Sequence, residues 1–162
     1  MFNRILKPYI VMKRVIFCII CILSVNFTTI YAQCEEAVLK QALKDMGDSQ
    51  YIKDFTIDLQ KPKKDAKTVA VTFKVILNSK NHYKFTMANS PSNPEDVIMQ
   101  LYDGDRLLVS NLEGGKMYKS TEFICRTTKA YNLTFSFKGG EEGCSAAVLS
   151  LVKQYSEGEM GF

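Results

Sequence analysis

From position 51 onward, apolar residues recur at every second position over several separate stretches. Phe55, Ile57 and Leu59 alternate with Asp54, Thr56 and Asp58. Val69, Val71, Phe73, Val75 and Leu77 alternate with Thr68, Ala70, Thr72, Lys74 and Ile76. Tyr131, Leu133, Phe135 and Phe137 alternate with Asn132, Thr134 and Ser136. Successive side chains of an extended strand leave opposite faces, so this period means one face buried and the other wet. Tyr83, Phe85 and Met87 repeat the pattern after a turn at Asn78–His82. Ser90–Pro94 is rich in breakers and sets off Val97–Tyr102. Asp103-Gly104 then separates that run from Leu107–Val109, a tight-hairpin signal. Met117–Cys125 and, after the Gly139–Gly143 turn, Cys144–Val152 complete the set. The expected fold is mainly β: an antiparallel β-sandwich, jelly-roll or Ig-like, of about eight strands.

One short N-terminal helix precedes the strands. Val38, Leu39, Ala42, Leu43 and Met46 are spaced three and four apart, and Gly47 follows as a stop. The expected span is 35–46, with Glu35-Glu36 at the positive end of the helix dipole. A helix this short is marginal alone and must dock on something.

The first 32 residues have the order of a cleaved export signal. Arg4, Lys7, Lys13 and Arg14 precede the apolar run Val15–Val25, and a polar stretch leads to the small residue Ala32. The apolar run is shorter than the ~20 residues a membrane-spanning helix needs, so no membrane span is expected after cleavage. Met12-Lys13-Arg14 is itself a suitable signal start, which leaves Met1 and Met12 as alternative initiation sites. Gln33 stands where a lipoprotein signal wants a small residue before Cys34. The expected layout is a signal peptide over 1–32, a sandwich domain over 33–155 and a flexible tail over 156–162, in a secreted or periplasmic protein.

Loss of the leader removes four of the 21 basic residues and no acidic one, leaving 17 against 17. The +4 of the whole chain therefore belongs to the leader. Without a standing positive field, nucleic acid is not an expected partner. Lys61, Lys63, Lys64 and Lys67, interrupted by Pro62 and Asp65, read as a solvated loop.

Cys18 and Cys21 leave with the leader, so Cys34, Cys125 and Cys144 remain as disulfide candidates, an odd number. If the last three strands run up, down and up, Cys125 and Cys144 lie about 20 Å apart, too far for a bond. Cys34 joined to one of the other two is the expected pairing; Cys125–Cys144 and all-thiol are the alternatives. His82, the lone histidine, sits in a polar turn, which disfavours cysteine–histidine chemistry and multi-histidine zinc sites. No P-loop, dinucleotide fingerprint or serine elbow occurs, and no cofactor is expected. Asp96, Asp103 and Asp105 are weak candidates for a calcium site, the alternative being polar shoulders of a hairpin. The tyrosines that outlast the leader mostly fall in strand register, where packing is their ordinary role.

The chain resembles small secreted proteins of Bacteroidetes-type bacteria. The resemblance is carried by Tyr51-Ile52-Lys53-Asp54-Phe55, Tyr83-Lys84-Phe85, Gln100-Leu101-Tyr102-Asp103, Phe123-Ile124-Cys125, Tyr131, Phe137-Lys138-Gly139 and Gly143-Cys144. It implies an exported or envelope protein and brings no activity with it. The Leu-Tyr-Asp hairpin and the Tyr131 strand are more distantly similar to bacterial pre-peptidase C-terminal domains, which are β-sandwich accessory modules. Those usually carry glycine where this chain has Lys129. The function these features imply is an exported, non-enzymatic β-sandwich that binds a protein or envelope partner. The alternatives are a small secreted hydrolase and a calcium-stabilised structural envelope module.

Overall fold

The computed structural model describes residues 30–59, 69–91, 96–140 and 142–159. The apolar run Val15–Val25 and the Lys61–Lys67 cluster lie outside the described residues. The chain divides into two units, Met1–Gln33 and Cys34–Phe162, and the second holds all the strands.

Among the described residues a helix, α1 (Ile30–Met46), leads into ten strands. They are β1 (Gln50–Leu59), β2 (Ala70–Leu77), β3 (Asn81–Asn89), β4 (Val97–Asp103), β5 (Arg106–Ser110), β6 (Leu112–Glu113), β7 (Lys116–Met117), β8 (Ser120–Cys125), β9 (Lys129–Phe137) and β10 (Gly143–Gln154). Sheet A has the order β1-β10-β3-β8, sheet B the order β2-β9-β4-β5, and β6-β7 form a separate two-stranded ribbon.

Setting the ribbon aside, the eight strands pair first with last, second with seventh, third with sixth and fourth with fifth. Every pairing is antiparallel. A long hairpin rolled onto itself produces this order, so the sandwich is a jelly roll and not an Ig-like array. Sequence neighbours are therefore mostly not sheet neighbours. Among the sandwich strands only β4 and β5 are both consecutive and hydrogen-bonded. The Asn78–Lys80 turn, with Lys80 at φ 62, carries the chain from sheet B to sheet A and is no hairpin.

The alternating apolar residues meet between the sheets. Phe55 and Ile57 of β1, Leu77 of β2, Phe85 of β3, Met99 and Leu101 of β4, and Leu133, Phe135 and Phe137 of β9 are almost fully buried in one cluster. Phe55, Phe73 and Phe135 form a ring trio with centroids 5.1–6.1 Å apart, which ties the edges of the two sheets together.

Three expectations are corrected in detail. The helix begins at Ile30 rather than 35, so Glu35-Glu36 lies a full turn inside and does not face the positive end. Its stop holds: Gly47 has φ 69 and closes a bond to the Lys44 carbonyl. The β4–β5 turn is shifted by one residue, its central pair being Gly104-Asp105, with positive φ at Gly104 alone. Glycine at the first central position is the type II′ requirement, so the turn matches the strand twist by that route. The stretch read as one strand over Met117–Cys125 breaks at Tyr118-Lys119. There the Tyr118 N–H donates to the Asn111 carbonyl (2.9 Å) and the Met87 N–H to the Lys119 carbonyl (2.8 Å).

Candidate functional site

The two outer faces of the sandwich differ in what covers them. On sheet A, helix α1 presses Val38 and Ala42 onto Ala88, Ala146 and Val148, with Leu39 and Met46 at the margin. β10 is therefore buried on both faces, which is why its sequence does not alternate. Ser49 fixes the helix end by donating to the Met46 carbonyl (3.0 Å) and to Ser150 Oγ (2.8 Å), and Lys84 Nζ donates to the same carbonyl (3.2 Å).

On sheet B the outward positions stand exposed or half-exposed in rungs across four strands. One rung is Thr72, Thr134, Gln100 and Ser110; the next is Lys74, Asn132, Tyr102 and Leu107. Ala70, Ser136 and Ile98 flank them on one side, Ile76 and Ala130 on the other. The surface measures about 14 Å across four strands and about 20 Å along them. Thr72 Oγ1 and Thr134 Oγ1 are bonded at 2.9 Å, so the hydroxyl rung is locally ordered. Ile76 is 75% exposed and Leu107 46%, large apolar groups left in water at opposite edges. Among these rungs Lys74 carries the one charge, whereas 23% of the whole chain is charged. Charge gathers at the rim: Asp103 accepts from Lys129 Nζ at 2.5 Å and lies 3.8 Å from Arg106. This extended face, with Lys74 as the one charged residue of its rungs, is the candidate site.

The residues weighed for metal and thiol chemistry fall elsewhere. Asp96 and Asp103 stand at opposite ends of β4, about 20 Å apart at ~3.3 Å per residue, so they do not converge. Asp96 accepts from Asn89 Nδ2 (3.2 Å), Asp103 is held by Lys129, and Asp105 is exposed in the turn. Among the described residues no group of three histidine, cysteine or acidic side chains gathers.

Cys125 is a fully buried free thiol at the end of β8. Its sulfur lies 3.2 Å from the Thr127 carbonyl, 3.7 Å from that of Leu77 and 3.5 Å from the Tyr131 hydroxyl. His82 belongs to the other face of sheet A: it follows Asn81, the partner of Cys125, and bonds Glu122 at 2.8 Å. The sheet itself thus separates thiol from imidazole. Cys125 and Cys144 are not joined. They are aligned with Asn81 and with Ser90 just past the end of β3, roughly 30 Å apart along that direction. The separation expected from sequence is thus present, although β9 does not lie between them.

Among the described residues four groups have clearly displaced titrations, and they lie apart, on α1, β1, β9 and in the segment after β10. Burial first, then the bond to Cys125, pushes the Tyr131 phenol upward; its hydroxyl donates to the Thr127 carbonyl at 2.8 Å. Tyr51 is raised by its bond to Asp54, and Glu36 is lowered by Lys40. Glu159 is held down at about 2 by the Ser156 N–H, then by Lys153 and the Ser156 hydroxyl. The segment Ser156–Glu159, expected as frayed tail, is thus a turn closed by its own carboxylate.

No family model matches the chain, and no curated protein matches it either. Among solved structures it is similar to Aeromonas hydrophila PliG, a periplasmic lysozyme inhibitor of g-type lysozyme. The TM-score is 0.44 and the identity 6%, over 64% of this chain and 88% of that one. Among the described residues no helix is long and apolar enough to cross a membrane.

Proposed function

We propose that the protein is an exported, non-enzymatic binding module whose sheet B outer face engages a protein partner. The observation that carries this reading is the near-absence of charge from an exposed four-stranded surface in a chain that is 23% charged overall. Cores of protein interfaces are depleted in charge and enriched in aromatic residues, with hydrogen bonds spaced across the contact. Tyr102 supplies the aromatic group, and Thr72, Thr134, Gln100 and Asn132 supply groups that both donate and accept. An extended sheet face suits a macromolecule, since small ligands are held in concave pockets that bury most of their surface.

A photo-crosslinking amino acid placed at position 134 or 100, in cells of the native host, tests this directly. A discrete protein adduct at both positions, with none from Lys40 on the exposed side of α1, is the expected result. Adducts that form only from α1, or none from the rungs, would overturn the assignment.

A further inference from the structure

We propose that Cys34 and Cys144 form a disulfide that clamps helix α1 to the outer face of sheet A, while Cys125 stays a thiol. The helical period places position 34 on the same stripe as Val38 and Ala42, the two helix positions buried against the sheet. The strand period places Cys144 on the face of Ala146 and Val148, the sheet residues those two meet.

The axial distances agree as well. Met46 lies over Ser150 and Lys84, as the Ser49 and Lys84 bonds show. From Met46 back to Cys34 the helix rises about 18 Å at ~1.5 Å per residue, and from Ser150 back to Cys144 the strand runs about 20 Å at ~3.3 Å per residue. The helix runs along β10 toward its start, because Val38 and Ala42 meet Ala146 and Val148. A helix continued at that pitch from Val38 would bring position 34 level with Cys144. Cys125 is removed from the pairing because it lies inside the sandwich, its thiol held by two carbonyls and a phenol.

The reaction is a two-electron oxidation by thiol–disulfide exchange. One thiolate attacks the sulfur of a disulfide oxidant, displacing a thiol, and the second thiolate attacks the mixed disulfide, displacing another. One S–S bond forms within the protein, one breaks in the oxidant, and the oxidant leaves as two thiols carrying the electrons and protons. The loop closed is about 110 residues, in the range where a crosslink restricts the unfolded chain most.

The test is peptide mapping of the full chain after incubation with oxidised glutathione, with alkylation before and after denaturation. Trypsin cuts after Arg14, Lys40, Lys119, Arg126, Lys138 and Lys153, so Cys125 and Cys144 fall on separate peptides, and fragmentation of the peptide ending at Lys40 distinguishes Cys34 from Cys18 and Cys21 where these are present. The expected result is the peptide ending at Lys40 linked to Gly139–Lys153, with Cys125 alkylated after denaturation alone. Cys34→Ser and Cys144→Ser should each lower the melting temperature by on the order of 10 °C, with no further loss in the double variant. Recovery of Cys34 or Cys144 as alkylated thiols, a bond to Cys125, or a Cys34-linked dimer would overturn the proposal. The mapping uses the unaltered chain, so it decides the question even if a variant fails to fold.

Discussion

Replacing Asn111 with alanine tests whether a single side chain can stand in for a missing stretch of strand. β5 pairs with β4 only from Gln100 onward, which leaves the backbone of Val97–Met99 without a strand partner on that side. Asn111 fills the place: Oδ1 accepts from the Met99 N–H at 2.7 Å, Nδ2 donates to the Val97 carbonyl at 2.9 Å and to the Tyr118 carbonyl at 3.1 Å, and its own N–H donates to the Met99 carbonyl at 3.2 Å. Asn111 is 2% exposed, and Val97 and Met99 are almost fully buried. Alanine keeps the backbone bond but orphans one buried N–H and one buried carbonyl, each at about 1–3 kcal/mol. An overall loss of about 3–4 kcal/mol is expected.

Asn111→Asp keeps the acceptor and places a carboxylate against the Val97 carbonyl. Burial raises the folded pKa of that carboxyl above its unfolded value of about 3.9, so its cost grows as pH rises through that value and shrinks toward pH ~4. Urea titration followed by circular dichroism is the assay, since the chain has no tryptophan. A loss below about 1 kcal/mol in the alanine variant, or an aspartate variant with a pH-independent deficit, would refute the reasoning.

Thr86 Oγ1 is buried beneath α1 without a hydrogen-bond partner, so Thr86→Val should stabilise the fold by about 1 kcal/mol in the same titration. Phe135→Ala removes the ring that packs against both Phe55 and Phe73 and should cost about 3–5 kcal/mol. Tyr131 should be the last tyrosine to ionise in a spectrophotometric alkaline titration, and its ionisation should coincide with loss of near-ultraviolet dichroism. Carbon-detected NMR should show Glu159 titrating near 2, well below an ordinary glutamate. Because its folded value is depressed, the turn it closes is intact above pH ~4.5 and loosens as pH falls toward that midpoint.

The alternation at Phe55–Leu59, Tyr83–Met87 and Tyr131–Phe137 marks correctly which side chains enter the core, because burial in a half-wet strand is a local property. Pairing is not local. Nothing in Gly143–Gln154 says that it sits between β1 and β3, and its outward Ala146 and Val148 acquire meaning only once the helix is known to lie there. Asn111 was invisible for a related reason. A lone asparagine in Ser110-Asn111-Leu112 has the signature of any turn, and its three partners come from positions 97, 99 and 118. The candidate face was legible as the wet half of each strand, but its lack of charge emerges only when four strands are laid side by side.

The rolled-hairpin pairing sets the order in which the molecule can be completed. β10 is the inner partner of both β1 and β3, so sheet A has a gap at its centre until the last dozen strand residues arrive. Contacts between segments nearly a hundred residues apart make folding slow and late. During synthesis, the chain therefore remains an open, protease-sensitive thread until β10 has been made. Cutting away β10 should abolish the native state outright rather than shorten it.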